Sequence, residues 1–243
     1  RAHASFTPVQ KAINYAMTSF FTTGGIRGGS KKKMDKFYPR SFNMGIRRDV
    51  YQALEGFSKM RFGEDIDFSI RIFKGGYRCR LFPEAWVWHK RRTDLKKFFK
   101  QVHNSGIARI NLYKKYPESL KLVHMLPAIF TLGVGFLLLL LLIGLVCLAS
   151  TFLFIEGTSS PSMGLFFVSL LLIYGSLTPL LLFSLIICAD STLRNRSLWI
   201  GLLSVPASFI QLTGYGTGFL RAWWKRCVLG KDEFSAFEKN FYK

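Results

Sequence analysis

Three acids fall within four residues of each other in Phe62-Gly-Glu-Asp-Ile-Asp-Phe-Ser-Ile-Arg71, directly after a glycine turn. The spacing predicts a helix from about Glu64 to Phe73, with Glu64 and Asp65 in its first turn. Carboxylates there are favoured by the helix dipole, so capping alone accounts for the pair without any chemistry. Crowding supports a chemical reading. Like charges this close raise one another's pKa, and a carboxylate tuned that way suits a general base. Arg71, a turn or two along, is spaced to hold one carboxylate by a charge-assisted pair.

The elements that must position this cluster read as short and alternating. An extended piece is expected around Arg40 to Met44, then a helical turn from Arg47 to Leu54 capped by Gly56, and a polar turn at Gly63. After the acidic helix come a Gly75-Gly76 stop, a strand at Tyr77 to Phe82 ended by Pro83, and a second strand at Ala85 to His89. Thr93 to Tyr113 reads as a long basic helix. Helices alternating with strands predict an α/β unit. With so few strands the sheet is incomplete, and the chain, opening on Arg1, reads as a piece of something longer.

Asn43 to Arg47 (Asn-Met-Gly-Ile-Arg), Glu55-Gly56-Phe57, the Gly63-Glu64-Asp65-x-Asp67-Phe68-x-x-Arg71 run, Gly75-Gly76-Tyr77, and Pro83-Glu84-Ala85 followed by Trp88-His89 together resemble the C-terminal half of a family 2 glycosyltransferase. The resemblance covers about Asn43 to Arg109. Each motif is weak alone, and their order and spacing make the set specific. It implies an inverting enzyme of the GT-A fold, an α/β architecture. It also implies that Asp65 is the catalytic base toward an acceptor hydroxyl and that Glu64 binds or orients the acceptor. Asp67 and Arg71 support the same helix on the substrate side, and Asn43 and His89 are further substrate-binding candidates.

The resemblance further implies a nucleotide-sugar donor and a divalent cation, Mg or Mn, on its diphosphate. No Asp-x-Asp precedes Asn43, and Asp65-Ile-Asp67 belongs to the acidic helix, so the cation and donor are expected on a missing N-terminal half. No metal ligand is assigned within this chain. His89 follows a predicted strand where some relatives contact the metal or diphosphate, although a lone histidine is more often a structural hydrogen-bonder. Processive members carry Gln-x-x-Arg-Trp on the helix after that strand. Here the stretch is Gln101-Val-His-Asn-Ser105, which implies single transfer rather than polymer synthesis.

Charge and hydropathy divide the chain. Before His124 there are 26 Lys and Arg against 9 Asp and Glu, a net of +17 out of +20. Beyond it, Met125 to Ile155 is uncharged, as are Gly157 to Ala189 and Ser197 to Leu220. A bilayer core needs about 20 apolar residues as helix. The expected spans are therefore about 127–155 and 163–189, with a third, weaker run at 197–220 diluted by Pro206, Gln211, Gly214, Gly216 and Gly218. Basic residues flanking spans stay on the cytoplasmic side, which puts residues 1–123 there, as the C-terminal part of the catalytic domain. A third full crossing would carry Arg221, Lys225 and Arg226 of the basic tail, 223–243, to the far side against that rule. Either the rule fails or the third segment lies in the interface or re-enters. Both readings stay open at the level of sequence.

Thr22 to Lys36 combines four glycines and five basic residues and reads as a solvated loop, lacking the spacing of a phosphate-binding P-loop. Lys90 to Lys100 interleaves basic and aromatic residues. Nucleic acid is one partner for such a pattern, but its place before a span favours a helix on anionic membrane lipid, with Phe98 and Phe99 inserted. That siting would bring a lipid-linked or cell-envelope glycan acceptor to Asp65 at the cell membrane. Four scattered cysteines give neither metal spacing nor a disulfide framework. Two further classes fit parts of the pattern: a small transporter subunit, disfavoured by the absence of charge in the first two spans, and a non-catalytic membrane-tethered basic module.

Overall fold

The computed structural model describes residues 3–24, 38–60, 62–82, 84–85, 87–153 and 163–232. The glycine-rich loop beyond Gly24, the connection expected on the far side of the membrane, and the tail beyond Asp232 lie outside them. The architecture is helical: α1 (Pro8–Thr18), α2 (Phe20–Thr23), α3 (Arg48–Ala53), α4 (Glu64–Lys74), α5 (Leu95–Lys115), α6 (Leu122–Leu153), α7 (Met163–Asn195) and α8 (Leu198–Trp223). A wider π-helical turn over Trp224–Val228 continues α8.

Local chemistry sets several of these boundaries. Thr7 and Gln10 form a reciprocal capping box at the start of α1, with Pro8 as its first residue. Asp94 Oδ1 accepts the Lys97 N–H at 2.7 Å and caps α5, whose last turn carries Lys114 and Lys115 toward the negative end of the dipole. Glycine ends α4 at Gly75, where the chain turns through Gly76 at φ +78°.

α6 and α7 pack together as an antiparallel pair, Phe130 meeting Phe183 at 5.2 Å and Gly144 lying against Leu172 and Ile173. Three helical stretches, Leu122–Thr151, Met163–Asn195 and Leu198–Val228, are long and apolar enough to cross a membrane. They differ in surroundings: within an apolar 18-residue part of each, only 6% and 11% of the first two are buried within the protein, against 44% of the third. α8 is the hub of the molecule, with α1, α5, α6 and α7 all packed against it. Its glycines explain this. A Cβ at Gly218 would overlap the His103 carbonyl of α5, and one at Gly106 of α5 would overlap the Tyr215 carbonyl of α8, so the two backbones touch directly.

The expected α/β fold is not present. Among the described residues there is no strand, and the predicted strand at 77–82 and the described residues 85 and 87–89 of the second run as irregular chain. The reason lies in what a strand is. Residues 78 to 82 do alternate between exposed and half-buried, but alternation becomes a strand only when a neighbour completes the hydrogen-bond ladder. No such neighbour lies among the described residues, and the extended piece at Arg40 to Met44 is itself broken by a 3₁₀ turn at Ser41–Asn43.

Candidate active site

The acid cluster sits where α4 begins, and Gly63 makes that beginning possible. Its φ of +85° lies in the left-handed region, and a Cβ there would press on Leu112 of α5. α4 then lays its apolar face on α5 through Ile70, Leu112 and Tyr116, with Met60 and Ile66 packed alongside. On its other side Phe68, fully buried, meets Phe57 at 5.0 Å and Tyr51 of α3 at 5.8 Å.

The three acids do different jobs. Asp67 is fully buried, and its Oδ1 accepts from Lys115 Nζ at 2.6 Å and from the Tyr116 hydroxyl at 3.0 Å. Its Oδ2 accepts from Arg71 Nε at 3.0 Å. Burial pushes this carboxyl up, but hydrogen bonds including those from Lys115 and Tyr116 outweigh it, and the net position is below the usual aspartate range. Arg71 also donates to the Leu54 and Gly56 carbonyls, closing the preceding loop onto α4. Asp67 and Arg71 thus spend their polar groups inside the protein.

Asp65 and Glu64 face the other way. Asp65 Oδ1 accepts the Ile66 N–H at 2.9 Å, and Oδ2 meets Arg40 Nη1 at a longer 3.2 Å, with 12% of the Asp65 side chain exposed and 42% of the Arg40 side chain. Glu64 is half-buried, and its carboxyl is raised above the ordinary value, first by that burial and also by the charge of Asp65. One carboxylate on a half-exposed arginine and a second with a raised pKa leave two groups at the helix mouth able to accept a proton or a hydroxyl.

The Arg40–Asn43 segment ties this mouth to the region of His89. Tyr38 packs edge-on against Phe73 of α4 at 5.8 Å, Arg40 reaches Asp65, and Phe42 lies 4.2 Å from the His89 ring. Asn43 Nδ2 donates to the Ala85 carbonyl at 3.2 Å. The His89 pKa is lowered by burial and then by the charge of Arg91 among other neighbouring cations, which favours the neutral ring. Arg40 is the one residue at the mouth that sequence reasoning missed, since nothing in its spacing ties it to an acid 25 positions later. Lys115 and Tyr116 escaped for the same reason.

A divalent cation finds no seat here. Among the described residues no group of three His, Cys, Asp or Glu could hold a metal ion, and the α4 acids are divided between Arg40, Arg71 and Lys115.

The family model described as glycosyl transferase family group 2 matches residues 41–203, two thirds of the chain, and the chain belongs to that family. It is also similar to "Probable glycosyltransferase YdaM" of Bacillus subtilis (strain 168), 32% identical over 59 residues. That match covers 24% of this chain and 14% of the relative's length. No solved structure matches the chain.

Proposed function

We propose that this chain serves a membrane-bound, non-processive inverting glycosyltransferase that moves a sugar from a nucleotide-sugar donor to a lipid-linked or cell-envelope glycan acceptor. Asp65 is the general base. It takes the acceptor hydroxyl proton as that oxygen bonds to the anomeric carbon, while the bond from that carbon to the diphosphate oxygen breaks and the nucleoside diphosphate leaves. Glu64 orients the acceptor hydroxyl, and Arg40 holds Asp65 until the acceptor arrives. Asn43 and His89 line the approach on the substrate side. Asp67 and Arg71 act through the helix they anchor. A divalent cation on the donor diphosphate would take its ligands from outside the described residues, which offer it no set of three.

The observation that carries this reading is the division of labour on one helical turn. Asp67 is fully buried and held by three side-chain donors, whereas the only charged partner of Asp65 among the described residues is the half-exposed Arg40 at the helix mouth, its other oxygen accepting the adjacent Ile66 N–H. Membership of the family supports glycosyl transfer, with a nucleotide-sugar donor and an acceptor as its general substrates. The +17 charge ahead of α6 supports a cytoplasmic, lipid-facing position for the site.

The test is Asp65→Asn in the full-length enzyme. Turnover is expected to fall by about 10²–10⁴-fold with donor binding retained. Near-normal turnover would remove Asp65 as the base.

A further inference from the structure

The contacts that fix both ends of α8 gather at one end of the α6–α7 pair. Phe130 and Phe183 face each other, so α6 before residue 130 and α7 after residue 183 lie at the same end. α8 starts there: Ser204 Oγ is 2.7 Å from Ser191 Oγ, and Gly201 lies against Thr192 and the Cys188 carbonyl. Phe209, in its middle, packs on Phe183 at 5.3 Å and Phe130 at 5.9 Å. Its later turns remain there as well, Gly216 lying against Pro127 and Thr131, and Phe219 and Ala222 sharing a buried cluster with Ala128.

From Ser204 to Ala222 the helix axis advances about 27 Å. Their partners, Ser191 and Ala128, differ in depth along the α6–α7 pair by only about 9 Å, counted from the Phe130–Phe183 level. A helix crossing beside that pair would carry its second end to the opposite surface, about 30 Å away.

The packing of α5 leads to the same place. α5 runs along α8 in the same direction, with Phe98 and Val102 clustered with Ala207, His103 against Gly218, and Asn111 accepting from Arg226 Nη1 at 2.6 Å. Its outer face exposes Lys96, Lys97, Lys100 and Lys114. If α8 crossed the bilayer, these lysines would enter the hydrocarbon, where such charges are strongly disfavoured.

We propose that α8 lies along the membrane interface, across the base of the α6–α7 pair, and that only α6 and α7 cross. α5 and α1 cover its water side and the base of the pair its lipid side. The exposed Trp199 at one end and Trp223 and Trp224 at the other then sit at a single headgroup level. The acid-bearing α4, α5 and the residues after α8 stand on one side of the membrane. This rests on packing and not on glycosyl transfer.

The test uses the full chain in sealed membrane vesicles of known orientation. Cys79, Cys147, Cys188 and Cys227 are replaced by alanine, and Lys97→Cys or Lys231→Cys is added as a target for a membrane-impermeant maleimide. Both sites are expected to react from the same side, with no uptake from the other. Reaction of position 231 from the side opposite to position 97 would overturn the proposal. Should the cysteine-free chain not assemble, separate fusions of the native-cysteine chain ahead of Arg1 and after Lys243 to green fluorescent protein and to alkaline phosphatase in a bacterial host report the same comparison. The same reporter active at both ends supports the interfacial α8, and different reporters active at the two ends overturn it.

Discussion

Lys115 Nζ stands 2.6 Å from Asp67 Oδ1, so the last turn of α5 holds a carboxylate in the first turns of α4. The pair is asymmetric: Asp67 is fully buried, while 44% of the Lys115 side chain is exposed. Removing the buried member is the more damaging change, because it strands the Arg71 guanidinium, which has 21% of its side chain exposed.

Asp67→Ala is expected to destabilise the protein by about 3 kcal/mol, read as a lowered thermal midpoint in detergent or nanodiscs. The same pair sets an acid limb. Asp67 has a folded pKa below its unfolded value of about 3.9, so its contribution is complete above that pH and is lost as pH falls through the folded value. The wild type should show this loss below about pH 4, and Asp67→Ala should lack it. Parallel acid profiles in the two proteins would refute the assignment.

Glu64 titrates in the opposite direction from its ordinary value, burial holding its carboxyl up. If it orients the acceptor as a carboxylate, acceptor KM rises as pH falls, with a midpoint above the usual glutamate value of about 4.3. Glu64→Gln should abolish that limb while donor KM stays unchanged. A limb that survives in the variant would assign it to another group.

The glycine seam between α5 and α8 predicts a contrast between two formally identical substitutions. Gly218→Ala drives a methyl into the His103 backbone, which must move, and is expected to cost about 3 kcal/mol. Gly135→Ala on α6 meets nothing within 4 Å and should be neutral, or stabilising by up to about 1 kcal/mol through helix propensity. Thermal unfolding of both variants side by side decides the matter; equal effects would mean the two backbones are not in contact.

Much of the helical framework was readable from local pattern. The acidic helix, expected over Glu64 to Phe73, runs Glu64–Lys74, and the basic helix expected over Thr93 to Tyr113 runs Leu95–Lys115, because caps, glycine stops and periodicity are properties of the segment itself. The strands were misread because strand identity belongs to a pair of segments, and Tyr77 to Phe82 carries only half of that information. The weaker apolar character of α8 was legible in the sequence, but its cause was not. Gly214, Gly216 and Gly218, which lower its hydropathy, are the positions where α5 and α6 approach it. At the candidate site, Glu64 and Asp65 were visible as a local cluster. Arg40 was not, since its link to Asp65 exists only once the chain has folded back across 25 residues.

The touching backbones of α5 and α8 also have a mechanical meaning. Helices separated by long side chains can slide past one another as rotamers change, like a bearing. Where Gly106 admits the Tyr215 carbonyl and Gly218 admits that of His103, each backbone is notched into the other and sliding requires withdrawing it first. The joint is keyed. α4 is fixed to α5 through Asp67 and Lys115, so α4, α5 and α8 form one unbroken series of direct contacts.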